Sequence, residues 1–289
     1  MPDRLLTTAE VAEVLRVHPK HVYRLLKRGL PARRVGAEWR FSRDDVLAWS
    51  GGPPGARRGE AREGSHAQAA PPSLVATSGD VAVLALLKLA NAQGPPFLGL
   101  VQAERRGAPE LLHERSVLAV GAPSSGFTTH VGGERVARLH LARREVGLLR
   151  PRGTPRLGLK DLARKRLASR PASAEARTHL DASMLAAGLN PLRGYRDVLE
   201  FPSHLDVVLA VASGRAGAGL ATRAWGERAG LAFQPLYQED YGLVLLARDL
   251  GDARVVRLCE VAQGRRFRDE VGAVVGYDTT GAGDVRYEA

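Results

Sequence analysis

Residues 5–49 read LLTTAEVAEVLRVHPKHVYRLLKRGLPARRVGAEWRFSRDDVLAW, and this stretch decides the N-terminal fold. Thr7 to Glu10 is T-T-A-E, a capping box in which the Thr7 hydroxyl and the Glu10 carboxylate each satisfy backbone N–H groups at a helix start. Val11, Val14 and Leu15 then fall on one face, so a short amphipathic helix runs to about Arg16. After the turn that ends at His18, Pro19 takes a first helical position, and the helix KHVYRLLKRG stops at Gly29. Val22, Leu25 and Leu26 form its inner face, leaving Lys20, His21, Tyr23, Arg24, Lys27 and Arg28 outward. Two short helices joined by a tight turn, the second one basic, make the helix-turn-helix geometry that sets a recognition helix in the major groove of duplex DNA. LPARRVGAEWRF supplies two extended pieces on either side of Gly36-Ala37, a wing from which Arg33, Arg34 and Arg40 reach phosphates. Trp39 reads as wing core, and Ser42 caps a last helix carrying Val46, Leu47 and Trp49.

The balance of the chain agrees with a polyanionic partner. Its 42 Lys+Arg against 31 Asp+Glu give a net charge of +11 and a sequence pI near 10.4. An arginine-rich coding style gives a similar count. At 289 residues there is room for two domains of ordinary size. The single cysteine, Cys259, excludes an internal disulfide and any Cys-based zinc site, and reads as a small core residue. No apolar run reaches the roughly 18 residues of a membrane span, and MPDRLLTTAE has no secretory h-region, so a cytoplasmic protein without a membrane partner is expected.

Residues 51–72, GGPPGARRGEAREGSHAQAAPP, contain no Leu, Ile, Val or aromatic side chain and read as a flexible linker. The expected organisation is therefore a winged helix-turn-helix of small α+β type over 1–50, the linker, and an α/β domain over 73–289. In that domain short apolar runs alternate with helical patterns, the rhythm of largely parallel strands. Expected strands are 73–76, 97–101, 116–120, 145–149 and 241–247, and expected helices are 80–92, 159–165, 175–187, 203–213, 221–229 and 252–263.

Residues 5–49 resemble the winged helix-turn-helix of the excisionase and MerR-type DNA-binding family, through T-x-x-E-V-A-x-x-L, V-Y-R-L, R-x-V-G and W-R-F. His18 stands where that family usually carries a Ser or Thr cap for the recognition helix. The resemblance implies a double-stranded DNA partner, with His18 joining the outward basic and aromatic residues named above as the contact set.

The C-terminal part resembles the two-lobed, type II periplasmic-binding-protein-like sensor domains, with molybdate-type binding proteins among their relatives. The order R-x-E-x-G-L, L-K-D-L-A, A-V-A-S-G-x-A-x-A-G-L, Y-x-L-V-L and G-Y-D-T-x-G-x-G-x-V carries the resemblance over 143–285. It implies a cleft at the carboxyl ends of strands, where helix N-termini favour anions. Thr77, Ser78, Ser173, Arg177, Ser203, His204 and Tyr241 are the expected ligand-binding residues, Thr77 to Gly79 and P-S-H-L-D also reading as helix caps. Three departures count against molybdate or tungstate: the family's P-G-S-G-T-R loop is A-S-A-E-A-R at 172–177, an Asp that follows V-A-S-G-x-A is Gly217, and the family's Asp and His have no match around Ser116 to Pro123. The expected ligand is then a different small molecule, anionic by the character of such a cleft, and a decayed structural domain is the alternative.

One rival reading is enzymatic. D-T-T-G-A-G-D at 278–284 resembles the phosphate-handling signature of ribokinase-like sugar kinases, where the second Asp is the base and the glycines sit at a helix start. Only V-R-Y-E-A follows Asp284, too little for that helix. No P-loop, metal-ligand cluster or nucleophile triad accompanies it, so no catalytic residue, metal or cofactor is expected. The sequence thus points to a homodimeric DNA-binding regulator that senses a small molecule or oxyanion, with a constitutive DNA-binding or architectural protein as the alternative.

Overall fold

The capping box at Thr7 forms as its spacing requires. Thr7 Oγ1 accepts from Glu10 N at 3.3 Å, and Glu10 Oε2 accepts from Thr7 N at 2.7 Å. The computed structural model describes residues 5–15, 17–26, 30–35, 38–50, 72–103, 107–124, 129–195 and 197–287. Its N-terminal elements are β1 (Leu6–Thr7), α1 (Thr8–Val14), α2 (Pro19–Leu26), β2 (Arg33–Val35), β3 (Glu38–Phe41) and α3 (Arg43–Ser50). β3 pairs antiparallel with both β1 and β2, so the expected wing gains a third short strand. Val11, Val22, Leu30, Phe41 and Val46 are buried together beneath it, with Trp39 packed on the cluster. The expected linker lies outside the described residues except for Pro72.

The C-terminal body begins with β4 (Leu74–Thr77), α4 (Val81–Asn91), β5 (Gly99–Gln102), α5 (Ala108–His113), β6 (Ala119–Pro123) and β7 (His130–Val131). β8 (Glu134–Arg150) then carries the chain into a second lobe. That lobe holds a 3-10 helix (Leu159–Arg164), β9 (Arg166–Ser169), α6 (Glu175–Ala186), β10 (Asp197–Glu200), α7 (His204–Ala212), β11 (Ala218–Thr222) and α8 (Arg223–Arg228). β12 (Ala232–Leu246) returns to the first lobe, followed by a 3-10 helix (Ala247–Gly251), α9 (Ala253–Gln263), α10 (Arg265–Gly272), β13 (Tyr277–Asp278) and β14 (Val285–Tyr287).

The strand order is β10-β9-β11-β8-β12-β6-β4-β5. β8 and β12 are long and antiparallel, in register from Ala232↔Arg150 to Leu246↔Val136 with shifts at Pro235/Tyr237 and Tyr241/Gly242. The sheet is therefore mixed, where parallel strands were expected to dominate. The chain crosses between the lobes once in each direction, and the two crossings pair with each other. Among the described residues, parallel pairing is confined to β4 with β5 and β6, and to β9 with β10 and β11. Gly147 permits the close crossing at the first shift: a Cβ there would lie 2.1 Å from the Gln234 carbonyl oxygen.

Several expected boundaries move for local reasons. The strand placed at 116–120 begins at Ala119, because Arg115 turns at φ 56° and Ser116 N donates to Leu111 O at 2.9 Å, extending the end of α5. The helix placed at 221–229 starts at Arg223, since Ala221 and Thr222 still pair with β8. The D-T-T-G-A-G-D run forms no phosphate loop before a helix; it is the turn between β13 and β14, both paired to β8. Gly283 sits there at φ +91°, where a Cβ would lie 2.8 Å from the Gln263 nitrogen.

The wing touches the C-terminal body. Leu5 and Val35 are 8% and 7% exposed within the first lobe's core cluster. Burial of such side chains contributes about 1.5–3 kcal/mol each. Arg33 Nη1 donates to the Ala247 carbonyl and to Tyr287 Oη, the latter at 3.2 Å.

Candidate functional site

Between the lobes lies a cavity of about 50 Å³. Ser78 approaches it from the end of β4, Arg144 from β8, Arg170 from the end of β9, Ala174 to Ala176 from the start of α6, His204 from α7, and Glu239 and Tyr241 from β12. Strand ends and helix starts converge because both lobes place the carboxyl ends of their parallel strands toward the crossing strands.

The wall of the cavity is built on Arg144, which is 4% exposed. Its Nε donates to Glu239 Oε1 at 2.8 Å, its Nη2 reaches the same oxygen, and its Nη1 reaches Asp80 Oδ2. Its guanidinium lies 3.7 Å from the centre of the Tyr241 ring. Burial disfavours the charge of Arg144, but the Glu239 and Asp80 carboxylates outweigh it and raise the pKa well above the ordinary value. Asp80 also caps α4 by accepting from Ala82 N at 2.8 Å, and takes a bond from the Tyr277 hydroxyl at 2.6 Å. Burial, then Asp80, pushes that hydroxyl well above the ordinary tyrosine range. This is what the terminal Y-D-T segment supplies: a phenol that completes a buried ion network.

Among the described residues at the cavity, Glu239 Oε2 and His204 Nδ1 have no partner at hydrogen-bond distance. Their residues are 7% and 3% exposed. The Tyr237 hydroxyl is also buried with no partner at full hydrogen-bond distance, and burial first, then the charge of Glu239 and a loose hydrogen-bond interaction with it, raise its pKa. Burial, then the neighbouring Arg170 and Arg144, holds the His204 pKa well below 6.5, so its imidazole is neutral. Ala174 provides no side-chain cap for α6, whose first turn faces the cavity. Opposite, Trp225 Nε1 of α8 donates to the Gly79 carbonyl at 2.9 Å and ties the second lobe to the β4–α4 turn.

Of the residues expected from sequence to bind a ligand, Ser78, His204 and Tyr241 line this cavity. Thr77 is fully buried behind it, its Oγ1 3.3 Å from Tyr241 Oη, and burial raises the Tyr241 pKa to about 12. Ser203 caps α7, accepting from Asp206 N at 3.0 Å. Ser173 and Arg177 are not among the lining residues. Arg177 Nε instead donates to Asp181 Oδ1 at 3.0 Å, one helical turn on, and its guanidinium lies 4.4 Å over the Tyr195 ring. Glu175 does line the cavity and sits 3.4 Å from His179 Nε2.

Asp80, Arg144, Arg170 and Glu239 were missed by sequence reasoning. A signal existed for Arg144: it stands in phase with the fully buried Val146 and Leu148 on one strand face, where a charge requires a partner.

On the helix-turn-helix, Tyr23 is 53% exposed and Arg34 is exposed, while His18 is exposed and His21 half-buried. His21 N donates to the His18 carbonyl at 2.7 Å, so a backbone bond closes the first turn of α2. Arg40 pairs with Glu38 at 2.6 Å. Lys27 and Arg28, and the side chains of Lys20 and Arg24, lie outside the described residues. Cys259 is buried, and burial raises its thiol pKa to about 12, which leaves it inert as core. Among the described residues no group of His, Cys, Asp or Glu could hold a metal, and no helix is long and apolar enough to cross a membrane.

Comparison with known proteins gives the class. Residues 5–50 match the helix-turn-helix domain model, and residues 122–263 match the PBP superfamily domain. The chain thus joins a helix-turn-helix domain to a two-lobed domain of the periplasmic-binding-protein type. It is similar along 98% of its length to the uncharacterized protein YvgK of Bacillus subtilis (strain 168), at 26% identity over 304 residues and 97% of that protein. The regulatory domain of MetR, a LysR family regulator from N. meningitidis, shares the fold at TM-score 0.50 and 14% identity, covering 71% of this chain and 96% of its own. A cysteine-to-serine mutant of OxyR from Corynebacterium glutamicum does so at TM-score 0.50 and 14% identity, covering 91% and 88%.

Proposed function

We propose that the protein is a DNA-binding transcription regulator whose C-terminal domain senses a small polar molecule. The observation that carries this reading is the union, in one chain, of a helix-turn-helix domain with a two-lobed domain whose interlobe cavity holds buried polar atoms without partners. On this reading residues 1–50 contact duplex DNA through Tyr23, Arg34 and the basic face of α2, residues 73–289 sense, and a cytoplasmic homodimer engages two half-sites.

A route for coupling supports it. β12 carries Glu239 and Tyr241 at the cavity and runs directly into the 3-10 helix Ala247–Gly251, whose Ala247 carbonyl takes the Arg33 guanidinium. In this arrangement a wing arginine expected on phosphates is engaged by the sensing body. A ligand that favours one lobe arrangement shifts the strand end that holds the wing, and DNA affinity follows by linkage.

The competing reading, a DNA-binding protein with a non-sensing C-terminal domain, is favoured by the loss of Arg177 to Asp181. Fluorescence anisotropy on duplexes selected from a random pool, at two salt concentrations, tests the first half. Salt-dependent binding is expected, and no affinity for any duplex refutes it. Repeating the titration with small molecules that raise the melting temperature tests the second: an altered duplex affinity is expected, and unchanged affinity leaves the non-sensing reading.

A further inference from the structure

The charges around the cavity are not those of an oxyanion site. Arg144 and Arg170 line it, but so do Glu175 and Glu239, and Asp80 stands directly behind Arg144. Arg144 is already engaged by two carboxylates, so its charge is spent inside the protein. Glu239 uses one oxygen for that engagement, and its other, Oε2, has no donor at hydrogen-bond distance, although the Tyr237 hydroxyl interacts with the same carboxylate. A carboxylate oxygen buried in this way calls for a cationic or N–H donor group. The features that suit a carboxylate lie on the second lobe: the Arg170 guanidinium, the uncapped first turn of α6 and the neutral ring of His204 with its unpartnered Nδ1.

We propose that this cleft binds a small zwitterion of the α-amino-acid type, its ammonium group on Glu239 and its carboxylate against Arg170, His204 and the α6 N-terminus. The inference deepens the sensing reading and rests on it. A balanced lining favours a ligand with no net charge, and a cavity of about 50 Å³ has room for roughly four waters, which suits the smaller members of that class. Engagement of Glu239 and His204 by one molecule would bridge β12 to α7, the two sides of the cleft.

The test uses the full chain in thermal-shift and calorimetric titrations. Glycine, alanine and serine are compared with acetate and methylammonium, which are the two halves of the ligand, with sulfate and molybdate, and with glycerol. At least one zwitterion is expected to raise the melting temperature by several degrees and to bind at least tenfold tighter than either half. Glu239→Gln should weaken that binding at least tenfold. Because Glu239 also supports Arg144, Ala103→Leu, which fills the cavity from a half-buried position just past β5, is the second variant and should abolish binding without touching the ion network. Preferential stabilisation by sulfate, molybdate, acetate, methylammonium or glycerol overturns the zwitterion assignment while leaving a sensor. Silence from all of them overturns it too, and if duplex affinity is equally unmoved the sensing reading falls with it.

Discussion

Replacing Arg144 with Met keeps the length and apolar volume of the side chain but strands two buried carboxylates. Asp80 keeps its bonds from Ala82 N and the Tyr277 hydroxyl, whereas Glu239 loses the donors on Oε1 and its other oxygen already has none. Removing one partner of a buried ion pair costs about 3–5 kcal/mol. The guanidinium also lies 3.7 Å over the Tyr241 ring, and a desolvated cation–π contact adds about 1–2 kcal/mol. A loss of about 5 kcal/mol is therefore expected for Arg144→Met. For a body of this size that corresponds to a melting point lower by about 10–20 °C. Urea denaturation followed by tryptophan fluorescence measures it, with the slope m unchanged if the unfolded state is not altered. Adding Glu239→Gln removes the stranded charge, so the double variant should recover about 2 kcal/mol relative to Arg144→Met alone. A cost below about 1 kcal/mol for Arg144→Met, or no recovery in the double variant, would refute the view that Arg144 is the cation that satisfies these buried carboxylates.

His204 has a folded-state pKa held below 6.5 by burial and by Arg170 and Arg144, so the unfolded chain takes up a proton there that the folded chain does not. The stability is full above about pH 6.5 and falls below it, at up to about 1.4 kcal/mol per pH unit. His204→Asn should flatten that slope by about one proton in urea titrations between pH 7.5 and 5, with a remainder from His140, which is shifted down chiefly by burial; an unchanged slope excludes His204 as the source. Val35→Ala, at the wing–body contact, should cost about 1–3 kcal/mol and separate the melting of the two parts in calorimetry, and a single unchanged transition argues against a stabilising contact. Arg34→Ala should lower the slope of log affinity against log salt by about 1 without altering sequence preference, whereas an unaltered slope removes Arg34 from the phosphate contacts.

What was legible in the sequence is what is local. Thr7 with Glu10 and Ser203 with Asp206 are three residues apart, within reach of a single helical turn, and both caps form as the spacing requires. The helices at 175 and 253 begin within one residue of expectation, because apolar periodicity and a turn residue mark them. Strands were less legible. β9, β10 and β11 are short and were not picked out as separate strands, and β8 extends eleven residues before the expected 145 because its pairing with β12 and β14, rather than its composition, holds it extended.

The chain by itself determined a basic helix-turn-helix with a wing and an α/β C-terminal body with capped helices, since propensity, capping and periodicity act over a few residues. Only the tertiary structure decided the site. Asp80, Arg144, Glu239 and Tyr277 are far apart in the chain and meet because β8 and β12 cross between the lobes side by side. It also turned Arg33 to the Ala247 carbonyl. Which of several carboxylates or carbonyls a buried cation meets is fixed by long-range packing, because the cost of leaving any one unpaired is felt only once water has been excluded.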